Sequence, residues 1–137
     1  MRFLLDTNSL SEMEKPRPDS GLADWMVQHE AASAVSEITI GEINKGIYYH
    51  PPGPRRQRVQ AFMDEIEDSF AERVLPVTLE ILKRWGRLCG EHEARGRRLP
   101  VMDSILAATA LVHDLAIVTR NTADFPAEVR TVNPWTR

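Results

Sequence analysis

Asp103-Ser104-Ile105-Leu106-Ala107-Ala108-Thr109-Ala110-Leu111-Val112-His113 is followed, after Asp114, by Leu115-Ala116-Ile117-Val118. The first stretch has helical spacing and many small residues (Ala107, Ala108, Ala110), which permit close packing on a sheet. The second is apolar throughout, with no polar alternation, as a strand covered on both faces reads. A helix that feeds a doubly covered strand is the repeating unit of a parallel α/β sheet.

The rest of the chain extends that unit in both directions. Arg2 to Leu5 reads as a short buried strand, and Asp6-Thr7-Asn8 supplies capping residues for a helix through about Met13. Leu22, Trp25, Met26 and His29 keep helical spacing, and Ala32 to Ser36 is a second strand. Thr39 opens a predicted helix carrying Ile40, Ile43 and Ile47, which ends near Tyr49 before Pro51-Pro52-Gly53-Pro54. Val59, Phe62, Met63, Ile66 and Phe70 form an amphipathic stripe over residues 55–71. Val74 to Val77 reads as a strand that must lie at an edge because of Pro76. Thr78 to Arg95 is helical, with Leu82, Trp85, Cys89 and His92 roughly on one side, and Thr131 to Asn133 is a last short strand. The expected architecture is α/β, with a short, mainly parallel central sheet.

Length and composition set the frame. The 137 residues, 42% of them hydrophobic, suffice for one domain over 1–137 and are short for two. A chain of this size buries about two-thirds of its unfolded surface, enough for a core without staples. One cysteine, Cys89, allows no intrachain disulfide and fits a reducing compartment. The apolar run before Asp6 is far too short for a signal peptide or a span, so a soluble, cytoplasmic protein with no membrane role is expected. The net charge is −3, with 20 acidic against 17 basic residues, which argues against a protein that holds nucleic acid by charge alone. It leaves room for one that meets phosphates through a bound metal and a few placed arginines. Arg55-Arg56-Gln57-Arg58 and Arg95-Gly96-Arg97-Arg98 are the two basic stretches, and the first reads as a solvated helix end.

In a parallel sheet, ligands bind beyond the carboxyl ends of the strands. Four acids are predicted there: Asp6 at the end of the first strand, Glu42 in the first turn of the helix after the second, Asp103 at the start of its helix, and Asp124 after the Leu115–Val118 strand. Two carboxylates about 4 Å apart repel by roughly 4 kcal/mol at an intermediate dielectric, so such a cluster calls for protons or a divalent cation. An all-oxygen set suits Mg²⁺, or Mn²⁺, rather than zinc. A carboxylate-held cation beside a phosphodiester supports its hydrolysis.

Taken singly, each acid has a structural explanation. Asp6 can cap a helix, Thr39-Ile40-Gly41-Glu42 has capping-box spacing, Asp103 can serve the helix dipole, and Asn121 to Asp124 can be a capped turn. Four at one edge favour a site.

The local sequences around them are Phe3-Leu4-Leu5-Asp6-Thr7-Asn8, Ser36-Glu37-Ile38-Thr39-Ile40-Gly41-Glu42, Asp103-Ser104-Ile105-Leu106-Ala107-Ala108-Thr109-Ala110 and Val118-Thr119-Arg120-Asn121-Thr122-Ala123-Asp124-Phe125. This order and spacing closely resembles the PIN-domain family, and within it the VapC-type toxins of bacterial toxin–antitoxin pairs. The resemblance runs nearly end to end. It implies an α/β/α sandwich, Mg²⁺-dependent endoribonuclease activity on RNA, a homodimer and a small cognate antitoxin. It places Asp6, Glu42, Asp103 and Asp124 at the acidic metal-site positions. It puts Asn8 and Thr119 at polar positions that orient a carboxylate or a water, with Asn121 as a structural neighbour.

The other polar residues point elsewhere. His29, His50, His92 and His113 lack zinc-ligand spacing and read mostly as surface or helix-end residues. Cys89 has no histidine placed to activate it. Trp25 and Trp85 lie on apolar stripes, which leaves Trp135 as a candidate for stacking on bases. There is no Gly-rich phosphate loop. The rival readings are a phosphotransfer domain using Asp6 and a non-enzymatic interaction module. The first would want an aspartate where Asn8 stands, or a late lysine, and no lysine follows Lys83. The second leaves the full acidic set without a task.

Overall fold

A computed structural model describes residues 1–136. Its strands are β1 (Phe3–Leu5), β2 (Ser33–Ser36), β3 (Val74–Leu75), β4 (Ala116–Val118) and β5 (Thr131–Val132). The helices are α1 (Thr7–Glu12), α2 (Ser20–His29), α3 (Glu37–Tyr49), α4 (Pro54–Ser69), α5 (Leu79–Ala94) and α6 (Val101–His113). The sheet runs β3-β2-β1-β4-β5 with every pairing parallel. Phe3 is in register with Ser33 on one side and Ala116 on the other, and Leu5 with Val118.

Alternation along the strands divides the core in two. Phe3, Leu5, Val35, Ala116 and Val118 join a cluster with α1 to α4, including Leu10, Leu22, Ile43, Ile47 and Met63. Leu4, Ala34 and Ile117 face the opposite cluster with Leu88, Leu106, Ala107 and Ala110 of α5 and α6. The result is the expected three-layer α/β/α sandwich. The central strands need no polar face because both sides are covered.

Several boundaries differ from the sequence reading, each for a local reason. Helix α3 starts at Glu37, not Thr39, because Ser36 caps it by accepting the Ile38 amide at 3.1 Å. Thr39 is therefore inside the helix, fully buried, and its Oγ1 has no hydrogen-bond partner among the described residues. Helix α6 begins at Val101 behind Pro100, which places Asp103 third. β3 stops at Leu75, since Pro76 has no amide for a further ladder bond, and it is an edge strand as Pro76 required. On α5 the buried stripe is Ile81, Leu88 and His92 with Trp85 half-buried, while Leu82 is exposed. His92 is not a surface residue: it is 3% exposed, and its Nε2 lies 2.9 Å from Glu128 Oε2. No helix among the described residues is long and apolar enough to cross a membrane.

Candidate active site

The parallel sheet delivers its strand ends to one edge, and the acids follow from the elements that begin there. Asp6 comes directly after β1. It has extended backbone and caps α1, accepting the Ser9 amide on Oδ1 at 2.8 Å. The Asp6 amide in turn donates to the Val118 carbonyl, and the Ser9 hydroxyl donates to the same carbonyl, locking the start of α1 onto the end of β4. Asp6 is buried, 6% exposed. Capping and a place in the site are thus compatible, because the cap occupies one carboxylate oxygen and leaves the other.

Glu42 lies in the second turn of α3 rather than the first, a consequence of the cap at Ser36. The capping-box reading is therefore wrong: Thr39 does not open the helix. Glu42 accepts instead a 2.5 Å hydrogen bond from the Thr7 hydroxyl of α1. Thr7 stands between Asp6 and Asn8 and holds the Glu42 carboxylate, a contact that the sequence reading passed over. Only the pairing of α1 with α3 reveals it.

Asp103 projects from the first turn of α6, and Asp124 closes the short 3₁₀ turn Thr122–Asp124 that follows β4. Burial pushes the Asp103 carboxyl above the usual carboxylate range, and the negative charges of Asp124, Asp6 and Glu42 push it further. All four acids therefore share one electrostatic field. None of the four is in an ion pair among the described residues, whereas Glu12, Glu14, Asp114 and Glu128 each meet a basic side chain. Among the described residues no three acidic, histidine or cysteine side chains close around a single point. Asp6 is turned to the Ser9 amide and Glu42 to Thr7, the arrangement that mutual repulsion favours.

The polar neighbours are close by. Thr119 is fully buried, and its Oγ1 accepts the Asn121 amide at 3.0 Å, which shapes the turn leading to Asp124. Asn8 is exposed near the start of α1. A cleft of about 560 Å³ is lined by Thr7, Asn8, Glu42, Arg120, Asn121 and Trp135, among others. Asp124 lines a different hollow, of about 700 Å³, together with Arg95 and Arg97. Of the two basic stretches, Arg55 pairs with Glu14 and Arg56 donates to the His50 carbonyl, in keeping with a helix end. Arg95 and Arg97 form no ion pair among the described residues. Trp25 packs edge-on against Phe3, and the Trp85 indole donates to Ser104 Oγ, so both are framework.

Comparison with known proteins points the same way. The chain is 33% identical to the VapC ribonuclease Y4jK of Sinorhizobium fredii over 136 residues, covering 97% of each. It is 29% identical to toxin FitB of Neisseria gonorrhoeae, covering 97% of this chain and 98% of FitB. The structure superimposes on a chain of FitAcB from Neisseria gonorrhoeae with a TM-score of 0.85 at 27% identity, covering 98% of this chain and 99% of that one. It matches a chain of FitAB bound to IR36 DNA with a TM-score of 0.89 at 28% identity, over 98% and 96% of the two chains. The profile of the PIN domain matches residues 3–127. With that span and those relatives, the chain belongs to the PIN domain family.

Proposed function

We propose that the protein is the ribonuclease toxin of a toxin–antitoxin pair, hydrolysing phosphodiester bonds of RNA at Asp6, Glu42, Asp103 and Asp124 with a divalent cation, Mg²⁺ or Mn²⁺. One observation carries the reading: four carboxylates in one field, one of them buried, with no ion pair to any of them. A buried carboxylate ordinarily finds a cation, because leaving it uncompensated costs several kcal/mol. The donor set is all carboxylate oxygen, the chemistry of a hard divalent ion rather than zinc. Asp6 offers the oxygen its cap leaves free, and Asp103 and Asp124 offer theirs across the edge. A bound cation supplies Lewis acidity toward a phosphoryl oxygen and lowers the pKa of water. Glu42, held by the Thr7 hydroxyl, would orient a water, with Asn8 lining the same cleft; Thr119 would act through the turn that leads to Asp124.

The partner belongs to the same proposal. A carboxylate cluster that accepts a metal also accepts a guanidinium, whose planar fork pairs with carboxylates bidentately. A small antitoxin protein that inserts an arginine there would block both metal and phosphate. An apolar segment of it would find a hollow of about 320 Å³ lined by Leu10, Met13, Met26, Val27, Phe62 and Phe70. Leu22 is fully buried and takes no part. A homodimer in the cytoplasm completes the proposal, with exposed Val101 and Met102 of α6 as apolar surface for a second copy.

Incubation of the purified protein with RNA in Mg²⁺ or Mn²⁺ tests the reading. Wild type cleaves, chelation stops cleavage, and Asp6→Asn does not cleave. Cleavage that persists in Asp6→Asn at the wild-type rate would overturn it.

A further inference from the structure

The C-terminal segment does more than end the chain. Asp19 caps α2 by accepting the Leu22 amide on Oδ2 at 3.0 Å, and the same oxygen accepts the Thr136 amide at 3.0 Å. The Thr136 hydroxyl donates to Asp19 Oδ1. Gly21 makes room for this docking, since a Cβ there would stand 2.5 Å from the Pro134 carbonyl oxygen. The segment thereby presses Trp135 onto the core cluster of α1 to α4. The indole nitrogen has no hydrogen-bond partner among the described residues, so packing and the docked tail, rather than a polar contact, fix the ring.

Over that ring lies Arg120, its guanidinium carbon 5.0 Å from the centroid. Arg120 is exposed, lines the same cleft as Glu42 and Asn8, and forms no ion pair among the described residues. An exposed arginine beside carboxylates ordinarily swings onto one of them. Stacking on an aromatic face offsets that pull and leaves the edge of the guanidinium, with its N–H donors, free for a ligand in the cleft. A cation held off neighbouring acids suits an anion that must approach them.

We infer that Arg120, held by Trp135, binds a backbone phosphate of single-stranded RNA adjacent to the acidic centre, with Trp135 as its positioning residue. The inference rests on the ribonuclease reading for its ligand and is separable from it by experiment. Trp135 is then not a platform for bases, because its face is already taken by Arg120.

The test is binding rather than turnover: a fluorescein-labelled single-stranded RNA of mixed sequence, in Mg²⁺ at several salt concentrations, with every variant in an Asp6→Asn background. Arg120→Ala weakens binding about tenfold, whatever the sequence, and makes the dependence of log affinity on log salt shallower by about 0.7–1. Arg120→Lys restores the salt slope but not the full affinity. Trp135→Ala weakens binding although it removes no charge, and adding it to Arg120→Ala causes no further loss, as expected when one residue acts through the other. Trp135→Phe, which keeps a ring, stays near the parent and covers the case in which Trp135→Ala melts early. Unchanged affinity and slope in Arg120→Ala overturn the inference, and so do additive losses, which would mean that Trp135 meets RNA itself. If Arg120→Ala spares RNA but loosens a co-purified protein partner, the arginine belongs to a protein interface and the inference fails. Cleavage by the wild-type enzyme is scored separately. A wild type that cuts RNA while Arg120→Ala binds normally sinks only this inference. A wild type that never cuts while Arg120→Ala loses affinity sinks only the nuclease reading.

Discussion

Asp103 is a side chain whose charge costs stability and whose removal, on the proposed function, should also stop cleavage. Its carboxyl is held above the ordinary value of 3.8 by burial and by Asp124, Asp6 and Glu42, so the folded protein binds that proton more tightly than the unfolded chain. The penalty is therefore full at neutral pH, shrinks as pH falls through the raised value, and is gone below the unfolded one. Asp103→Asn is expected to melt higher than wild type in metal-free buffer at neutral pH, with the gap closing toward acid, and to lose at least about 100-fold in cleavage. A melting difference that does not change with pH would mean that the cluster does not govern this carboxyl. Thr39 offers a second case at this scale. Its buried hydroxyl has no partner among the described residues, and an unmet buried polar group costs about 1–3 kcal/mol. Thr39→Val should raise the melting midpoint by about 2–5 °C, read by calorimetry.

Among the elements, α3 and the C-terminal segment make the sharpest predictions. If Glu42 belonged to a capping box, its removal would cost about 1 kcal/mol of stability. It sits in the second turn, half-buried, held by Thr7, so Glu42→Ala should change stability by no more than about 0.5 kcal/mol while cleavage is lost. Denaturant melts and RNA cleavage on one preparation check both halves. Gly21→Ala is the converse, a change under the docked tail that acts on structure. The added carbon meets the Pro134 carbonyl, a backbone atom, so tail or helix must move. A loss of about 1–3 kcal/mol is expected, with earlier proteolysis of the last residues. Wild-type stability in Gly21→Ala would show that the tail does not depend on this contact.

For the whole molecule, the proposed metal site would link ion binding to folding. An ion that binds only the native state stabilises it by about 2.7 kcal/mol when present at 100 times its dissociation constant. Mg²⁺ or Mn²⁺ should therefore raise the melting temperature of wild type, and the rise should vanish in an Asp6→Asn, Asp103→Asn double variant. An equal rise in both proteins would assign the effect to ions bound elsewhere.

At that same scale the division between sequence and structure is clear. The alternation of short apolar strands with helices, the doubly covered β4, the small-residue face of α6 and the edge position forced by Pro76 were all legible from the chain, because each is a local pattern whose period or chemistry leaves few alternatives. The chain also points to the four acids as candidates, since residues that end parallel strands or begin the next helices lie at one edge; their part in catalysis is what the cleavage assays decide. The start of α3 was misplaced because Ser36 and Thr39 are both good caps, and packing of the helix, not side-chain preference, decides between them. The burial of His92 beside Glu128, 36 residues away, depends on a contact that no local pattern announces. Thr7 against Glu42 and Arg120 over Trp135 join residues 35 and 15 positions apart. Such contacts carry no periodic signature, and only the folded chain brings them within reach.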